Sequence, residues 1–289
     1  MTIVLGDNQY GKAETHVVRV SRDGATHDIK DVNVSVALAG DFDASHTEGD
    51  NRNVVPTDTQ KNTVFAFAKD SVGEIEEFGL RLARHFAGDF AAVKRARVSI
   101  EEYAWERINA GGRPHSHAFV RAGAEKRLTM VTCTKEGAWV VSGLSDLVLL
   151  KSAGSEFWGF PKDRYTTLEE TRDRILATAV EARWRYEGLD VDWGTAFTQT
   201  RAAMIEAFAV KHSLALQQTL YAMGEAALKA RPEIAEIRMT MPNKHHFLVD
   251  LSPFGLGNEN EVFHAADRPY GLIEGTVTRD DAPEPGLAW

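Results

Sequence analysis

The sequence lacks the features that mark exported and membrane proteins. It contains a single cysteine, Cys133, so no internal disulfide can form, and we expect this thiol to be buried and structural because its neighbours are apolar. No apolar run approaches the roughly 20 residues that span a bilayer. Residues 1–8 show no export signal, and the last five residues lack the Ser-Lys-Leu peroxisomal address. We therefore expect a cytoplasmic protein with no membrane partner.

Positive charge is also in short supply. The chain has 33 lysines and arginines against 42 aspartates and glutamates, a net charge of −9. This balance argues against an extended nucleic-acid surface, although a local basic pocket for a small anion is compatible with it. With 289 residues, of which 43% are hydrophobic, the chain can form the core of one large or two medium domains.

The familiar signatures of cofactor sites are missing as well. The sequence contains no G-x-G-x-x-G, no P-loop, no H-E-x-x-H and no nucleophile elbow. His115 and His117 would share one face of a strand, but a metal site normally takes three or four protein ligands. If the chain is an enzyme, we expect its side chains to do the chemistry without a metal or an organic cofactor.

The two halves of the chain repeat one order of patterns. In the first half, apolar residues alternate over 32–38, and two capping boxes, at 57–60 and 71–74, predict helix starts. In the second half, apolar residues alternate over 180–186, and helical stretches follow over 195–211 and 213–229. This duplication predicts an α+β fold, with one unit over 1–137 and a second over 138–289 that ends in a short loose tail.

The segment 242–250 has polar residues that packing explains poorly. On a strand, alternate side chains share a face, so the amide of Asn243 and the imidazole of His245 would interrupt the apolar face formed with Met239 and Met241. Buried polar groups need partners. A ligand is one such partner, and a solvated loop or edge strand is the alternative.

Further residues each have an ordinary structural explanation when taken singly. Lys12 would be a surface lysine, and Thr57 and Asp58 would cap a helix. Phe157 would anchor a packed loop, Arg174 would be a charge beside a strand, and Gln217 would be a polar residue in a first helical turn.

Together, these residues lie in eight segments that resemble the urate oxidase (uricase) family in the same order. The segments are 8–12 (Asn-Gln-Tyr-Gly-Lys), 57–63, 157–160 (Phe-Trp-Gly-Phe), 165–168, 173–178 (Asp-Arg-Ile-Leu-Ala-Thr), 217–221, 242–245 (Pro-Asn-Lys-His) and 267–273 (Asp-Arg-Pro-Tyr-Gly-Leu-Ile). Because they span nearly the whole chain in order, the resemblance is specific.

The resemblance implies two tandem T-fold units, each an antiparallel sheet with two helices on one face. It implies cofactor-free oxidation of urate by dioxygen, a co-substrate, to 5-hydroxyisourate and hydrogen peroxide. Uricases are homotetramers with active sites at subunit interfaces. In the family pattern Thr57 and Asp58 come from one subunit, and the neighbouring subunit supplies Phe157, Arg174 and Gln217.

The resemblance also implies a role for each site residue. Phe157 matches the ring that stacks on urate, Arg174 the guanidinium that pairs with its edge, and Gln217 the amide on the opposite edge. Leu216 matches a position whose backbone contacts the ligand. Asn243 and Thr57 match the residues beside dioxygen or water, and the implied proton relay consists of Lys12, Thr57 and His245.

Two other functions remain open from the sequence. Another tunnelling-fold enzyme could act on a pterin or a different purine, although such enzymes typically use zinc or a glutamate anchor, whereas this chain offers Arg174 and Gln217. A non-catalytic purine-binding protein could also retain the pocket.

Overall fold

The computed structural model describes residues 1–22, 24–266 and 268–289. Its contacts divide the chain into two compact units. Unit 1 comprises Met1–Gly143, Arg185–Gly194 and Pro283–Trp289; unit 2 comprises Leu144–Trp184 and Thr195–Ala282.

Unit 1 is an antiparallel sheet with helices packed against it. Its first four strands pair in chain order and are β1 (Tyr10–Ser21), β2 (Asp28–Gly40), β3 (Val93–Ala110) and β4 (Arg113–Cys133). Its helices are α1 (Asp43–Thr47), α2 (Thr57–Asp70) and α3 (Ile75–Asp89). α2 packs against β1, and α3 packs against β3 and β4.

The core of unit 1 follows the apolar periodicity of the sequence. The alternating residues of β2 are 0–3% exposed, and those at helical spacing in α3 are fully buried. Fully burying a side chain of this size contributes about 1.5–3 kcal/mol. Gly79 lets α3 approach the sheet, since a Cβ there would stand 2.8 Å from Cγ2 of Val131. Cys133 is buried as predicted, and burial raises the pKa of its thiol to about 11.

Both predicted capping boxes are wrong. α2 has Pro56 at its N-cap and Thr57 as its first residue, and no side chain caps it. Gln60 does not reach back to a capping residue; its Nε2 donates to the carbonyl of Val55 at 3.2 Å. α3 begins only at Ile75, with Glu74 at its N-cap. Pro56 shifts the first helix start because its fixed φ suits the helix entry.

Unit 2 contains a second pairing of strands and helices. Its elements are the C-terminal part of β5 (Ala138–Lys151), most of β6 (Leu176–Tyr186), β7 (Ile234–Asn243), β8 (His246–Leu248), β9 (Phe263–Ala265), β10 (Gly271–Thr278), most of α4 (Trp193–Val210), α5 (Leu216–Ala230) and a 3₁₀ turn at Ser252–Phe254. β7 pairs with β10 and β8 with β9, both antiparallel.

α5 packs closely on β7 and β10. A Cβ on Gly224 would stand 2.6 Å from Cγ2 of Val277, and one on Gly275 would stand 2.8 Å from Cδ2 of Leu220. The apolar stripe of this helix is buried, with Met223 fully inaccessible. Antiparallel sheets with packed helices in both units confirm the predicted α+β class.

The last residues are anchored, which differs from the loose tail that the sequence predicts. Arg97 donates from Nη2 to the carbonyls of Leu287 at 3.1 Å and Trp289 at 2.8 Å, and Ala288 is 3% exposed. Burial lowers the pKa of Arg97. A partly buried guanidinium needs acceptors, and the tail supplies them.

Candidate active site

The predicted site residues form two groups, one in each unit. The unit 1 group is Lys12, Thr57 and Asp58. The unit 2 group is Phe157, Arg174, Leu216, Gln217, Asn243 and His245.

In unit 1, Lys12 lies just before a bulge in β1. It pairs with Val36, and the register shifts between Lys12 and Thr15. The preceding residue has no room for a side chain, because a Cβ on Gly11 would stand 1.8 Å from the carbonyl oxygen of Val36. Lys12 itself is half-buried, on a strand segment whose backbone lies close against β2 at Gly11.

Thr57 and Asp58 are exposed at the start of α2. The Asp58 carboxylate accepts from Nζ of Lys61 at 2.5 Å and from Nδ2 of Asn62 at 2.9 Å. The bond to Lys61 is the main reason that the pKa of Asp58 is lowered, and the charge of Lys12 contributes in the same direction. Asp58 is therefore ionised and held by its own helix, while the Thr57 hydroxyl makes no capping bond.

In unit 2, the loop of Phe157 is held by backbone bonds. Its N–H donates to the carbonyl of Thr171 at 2.9 Å and its carbonyl accepts from Thr171 at 3.0 Å. Phe160 stacks on its ring, with centroids 4.9 Å apart and planes at 16°. The ring is half-buried, so its plane is set before any ligand binds.

Arg174 lies beside Phe157, with its guanidinium carbon 5.1 Å from the ring centroid. Burial lowers its pKa. Its Nε is buried and has no hydrogen-bond acceptor among the described residues. A buried, unsatisfied donor costs about 1–3 kcal/mol, and more when it is charged, so this guanidinium is suited to an anionic acceptor.

The start of α5 is tied to the Phe157 loop. Glu156 donates its N–H to the carbonyl of Ser213 at 2.7 Å, and Ser213 donates to the carbonyl of Gly154 at 3.0 Å. α5 then begins at Leu216 with no side-chain cap. It starts three residues later than predicted because Ser213 is engaged in this bridge. Leu216 is 2% exposed, and Gln217 is exposed.

Asn243 is the last residue of β7, opposite Gly271 of β10. The interpretation of segment 242–250 as one continuous strand, with Asn243 and His245 on the same face, is wrong, because β7 ends at Asn243 and β8 starts at His246. The chain leaves the ladder where the N–H of Lys244 donates to the carbonyl of Ala177 at 2.8 Å.

This bond holds the end of β7 against Ala177, the second residue of β6 and three residues beyond Arg174. His245 then lies near Arg174: the pKa of its imidazole is lowered first by burial and then by the charges of Arg174 and His246. His245 and Phe247 face each other with ring centroids 5.8 Å apart. The imidazole is therefore favoured in its neutral form.

In unit 1, Tyr10 makes a contact near the site residues that the sequence did not reveal. Its hydroxyl donates to the carbonyl of Val55 at 3.1 Å and accepts from the N–H of Val55 at 2.7 Å. The sequence places Tyr10 in the family-like segment 8–12, two residues before Lys12, but this does not reveal a contact 45 residues away.

Two other predicted features have separate outcomes. The rings of His115 and His117 lie 4.6 Å apart, and the described residues contain no cluster of His, Cys, Asp or Glu suited to a metal. Among the described residues, no helix combines the length and apolar character needed to span a bilayer. Asp267, part of one family-like segment, lies outside the described residues.

Within each unit, the structure places the predicted residues on neighbouring elements. In unit 2, Arg174 is close to both Phe157 and His245. In unit 1, the charge of Lys12 acts on Asp58, next to Thr57. The arrangement offers an exposed hydroxyl beside two charges in one unit, and a cation, an aromatic ring and a neutral imidazole in the other.

Comparison with known proteins identifies relatives along nearly the whole chain. The sequence model of the family described as Uricase matches residues 8–132 and 140–274. The uricase of Arthrobacter globiformis is 53% identical over 287 residues, covering 99% of this chain and 94% of that protein. The uricase of Dictyostelium discoideum is 37% identical over 279 residues, covering 95% and 97%.

Solved structures show the same likeness. The crystal structure of the Arthrobacter globiformis uricase superposes with a TM-score of 0.95 at 53% identity, covering 98% of each chain. A crystal structure of the urate oxidase from Bacillus sp. TB-90 gives a TM-score of 0.84 at 25% identity, covering 94% of this chain and 100% of that one.

Proposed function

The chain belongs to the uricase family and is a urate oxidase, and we propose that it oxidises urate with dioxygen and water to 5-hydroxyisourate and hydrogen peroxide without a metal or organic cofactor. The overall reaction is balanced: urate loses two electrons, dioxygen gains two and becomes hydrogen peroxide, and water supplies the added oxygen.

The observation that carries this proposal is the buried, unsatisfied Nε of the Arg174 guanidinium. It is partly buried, its Nε lacks an acceptor among the described residues, and it lies 5.1 Å from the Phe157 ring. Urate is a flat anion, so it can pair in its plane with a guanidinium fork while its face stacks on an aromatic ring. Gln217 can donate and accept at once, which suits the opposite edge of a purine.

The N-terminal ends of two helices also favour binding of the urate anion. Thr57 starts α2 and Leu216 starts α5, and neither helix has a side-chain cap. Uncapped N-terminal N–H groups carry a partial positive charge and bind anions. Leu216 itself is buried, so we propose that its backbone contacts the substrate.

Proton transfer is assigned to the residues with free polar groups. We assign Thr57, whose hydroxyl makes no capping bond, to take a proton from urate with the help of Lys12. The resulting dianion is electron-rich enough to reduce dioxygen directly, with Asn243 and Thr57 beside the oxygen. A hydroperoxide of urate forms, water enters as peroxide leaves, and His245 passes protons through ordered water. A lowered pKa keeps its imidazole able to accept them.

We propose that each site is shared between two copies of the chain in a homotetramer. One copy contributes the unit 1 group and its neighbour contributes the unit 2 group, following the family pattern. The boundary between tandem units at residues 137 and 138 and the cytoplasmic location stay predictions.

Turnover of urate by the purified, chelator-treated protein tests the proposal. We expect the ultraviolet absorbance of urate to fall while one hydrogen peroxide forms per urate. Restoration of activity only by an added metal would contradict the cofactor-free reaction. Turnover of a pterin or another purine in place of urate would contradict the substrate assignment.

A further inference from the structure

We propose that Tyr10 is a positioning residue for the unit 1 group. The hydroxyl of Tyr10 ties the turn before Thr57 to the strand that carries Lys12. The inference rests on the proposed function, since it concerns how Lys12 and Thr57 are held for proton transfer.

The tether consists of two hydrogen bonds at one backbone position. The Tyr10 hydroxyl donates to the carbonyl of Val55 at 3.1 Å and accepts from its N–H at 2.7 Å. Val55 is 4% exposed and stands two residues before Thr57, with only Pro56 between them. The hydroxyl thus engages both polar groups of the residue that leads into α2.

The ring of Tyr10 is itself fixed. It meets Phe42 edge to face, with centroids 4.9 Å apart and planes at 88°, and Phe42 is 1% exposed. Burial is the main reason that the pKa of Tyr10 is raised, so the hydroxyl keeps its proton and both roles. A hydroxyl on an anchored ring restricts the position of the turn more than a hydroxyl on a mobile side chain does.

Lys12 shares the strand face from which Tyr10 reaches α2. Tyr10 pairs with Leu38 and Lys12 with Val36 in regular register, and residues two apart on a strand point the same way. Leu38 and Val36 are both buried, which identifies this face as the one covered by α2. Lys12 and Thr57 are therefore connected through a short path: two residues of β1, the Tyr10 hydroxyl, and two residues of the turn.

The separation of a hydroxyl and an amine decides whether a proton passes between them. General acid–base transfer needs heavy atoms about 2.6–3.2 Å apart or one bridging water, and a displacement of about 1 Å can cost about a hundredfold in rate. A second donor, Nε2 of Gln60, also holds the carbonyl of Val55 at 3.2 Å. Because of this second bond, losing the Tyr10 hydroxyl should loosen the turn without releasing it.

The test is Tyr10→Phe in the full-length chain, which removes the hydroxyl and keeps the ring against Phe42. We expect kcat to fall about tenfold while KM for urate stays within about twofold, because the unit 2 group is intact. The solvent isotope effect on kcat should rise as proton transfer becomes slower, which a loss of folded protein would not produce.

Tyr103→Phe is the matched control. Its hydroxyl donates to Glu101 of the same strand at 3.3 Å, so its loss should leave kcat and the isotope effect unchanged. If Tyr10→Phe does not fold, Gln60→Met loosens the same turn from the helix side and should show the same division between kcat and KM.

The outcomes separate the two proposals. Urate turnover by the unaltered chain together with an unchanged kcat in Tyr10→Phe would overturn the positioning role alone. A fall in kcat that only follows the loss of folded protein, with no change in isotope effect, would overturn it as well. No urate turnover by the unaltered, assembled chain would overturn the proposed function, and with it the role of Tyr10.

Discussion

The two groups of site residues differ in how the fold holds their polar atoms. In the unit 1 group, Thr57 and Asp58 are exposed on the first turn of α2, and Asp58 is bound by Lys61 and Asn62 of its own helix. In the unit 2 group, Arg174 is half-buried against Phe157 and its Nε has no acceptor in the described chain.

The difference matches two kinds of task. Recognition of an anion gains from a desolvated cation, because charge-assisted pairs are stronger away from water. Proton transfer needs a hydroxyl that no capping bond occupies and a neighbouring amine at a set distance. We therefore expect changes in unit 2 to act mainly on KM and changes in unit 1 mainly on kcat.

Arg174→Gln should have the largest effect. Removing one partner of a desolvated charge pair costs about 2–5 kcal/mol, or roughly 30- to 4000-fold in affinity. Steady-state kinetics and urate binding to the unreacted enzyme measure it. Arg183→Gln, at a partly exposed arginine paired with Glu181 at 3.0 Å, is the control and should change KM less than twofold. A fall of less than tenfold in urate affinity for Arg174→Gln would contradict the anion placement.

Thr57→Ala should come next, with a roughly hundredfold loss of kcat. Because Thr57 makes no capping bond, the melting temperature should stay within about 1 °C, whereas loss of a true cap would cost about 1 kcal/mol. Thr57→Ser should keep most of the activity. Thr59→Ala alters the same exposed turn and should be silent; equal losses for both threonines would mean that the helix, rather than the hydroxyl, matters.

Gly11→Ala tests the backbone that places Lys12, with Gly275→Ala as its counterpart in unit 2. A methyl on Gly11 meets backbone atoms of Val36 and Ala37, whereas one on Gly275 meets the end of the Leu220 side chain. Because only the side chain can move aside, we expect about 2–3 kcal/mol of destabilisation for Gly11→Ala and about 1 kcal/mol for Gly275→Ala. Denaturant unfolding measures both, and the reverse order would contradict the close approach at Gly11.

The smallest effect concerns His245. Its pKa is lowered from the ordinary value of 6.5 by burial first and by Arg174 second. The stability that follows from this depressed pKa is present above pH 6.5 and is lost as the pH falls through the folded-state pKa. In Arg174→Gln the His245 resonance, followed by NMR, should titrate at a higher pH that is still below 6.5. An unchanged midpoint would mean that the two side chains are not electrostatically coupled.

Local patterns predicted much of the fold and of the site. The alternating residues of β2 and the stripes of α3 and α5 became core because apolar spacing is a property of the sequence itself. The family-like segments contain Lys12, Thr57, Arg174 and His245, and comparison with known proteins confirms the family. The assignment of roles to these residues stays a prediction.

Other predictions failed where a neighbouring proline or a distant contact overrode a local rule. Thr57 looked like a capping residue, but Pro56 takes that position. The strand through His245 breaks because Lys244 bonds to Ala177, 67 residues earlier. The C-terminal segment is held by Arg97, which no local pattern links to it.

The segment around Asn243 shows what each level decides. The sequence by itself determined that an amide and an imidazole follow an apolar strand, and that the chain resembles a urate oxidase. Only the tertiary structure decided that the strand ends at Asn243, that His245 comes under the influence of Arg174, and that Tyr10 holds Val55. The reason is physical: periodicity records which residues are buried, whereas hydrogen bonds between distant segments exist only after the chain has folded.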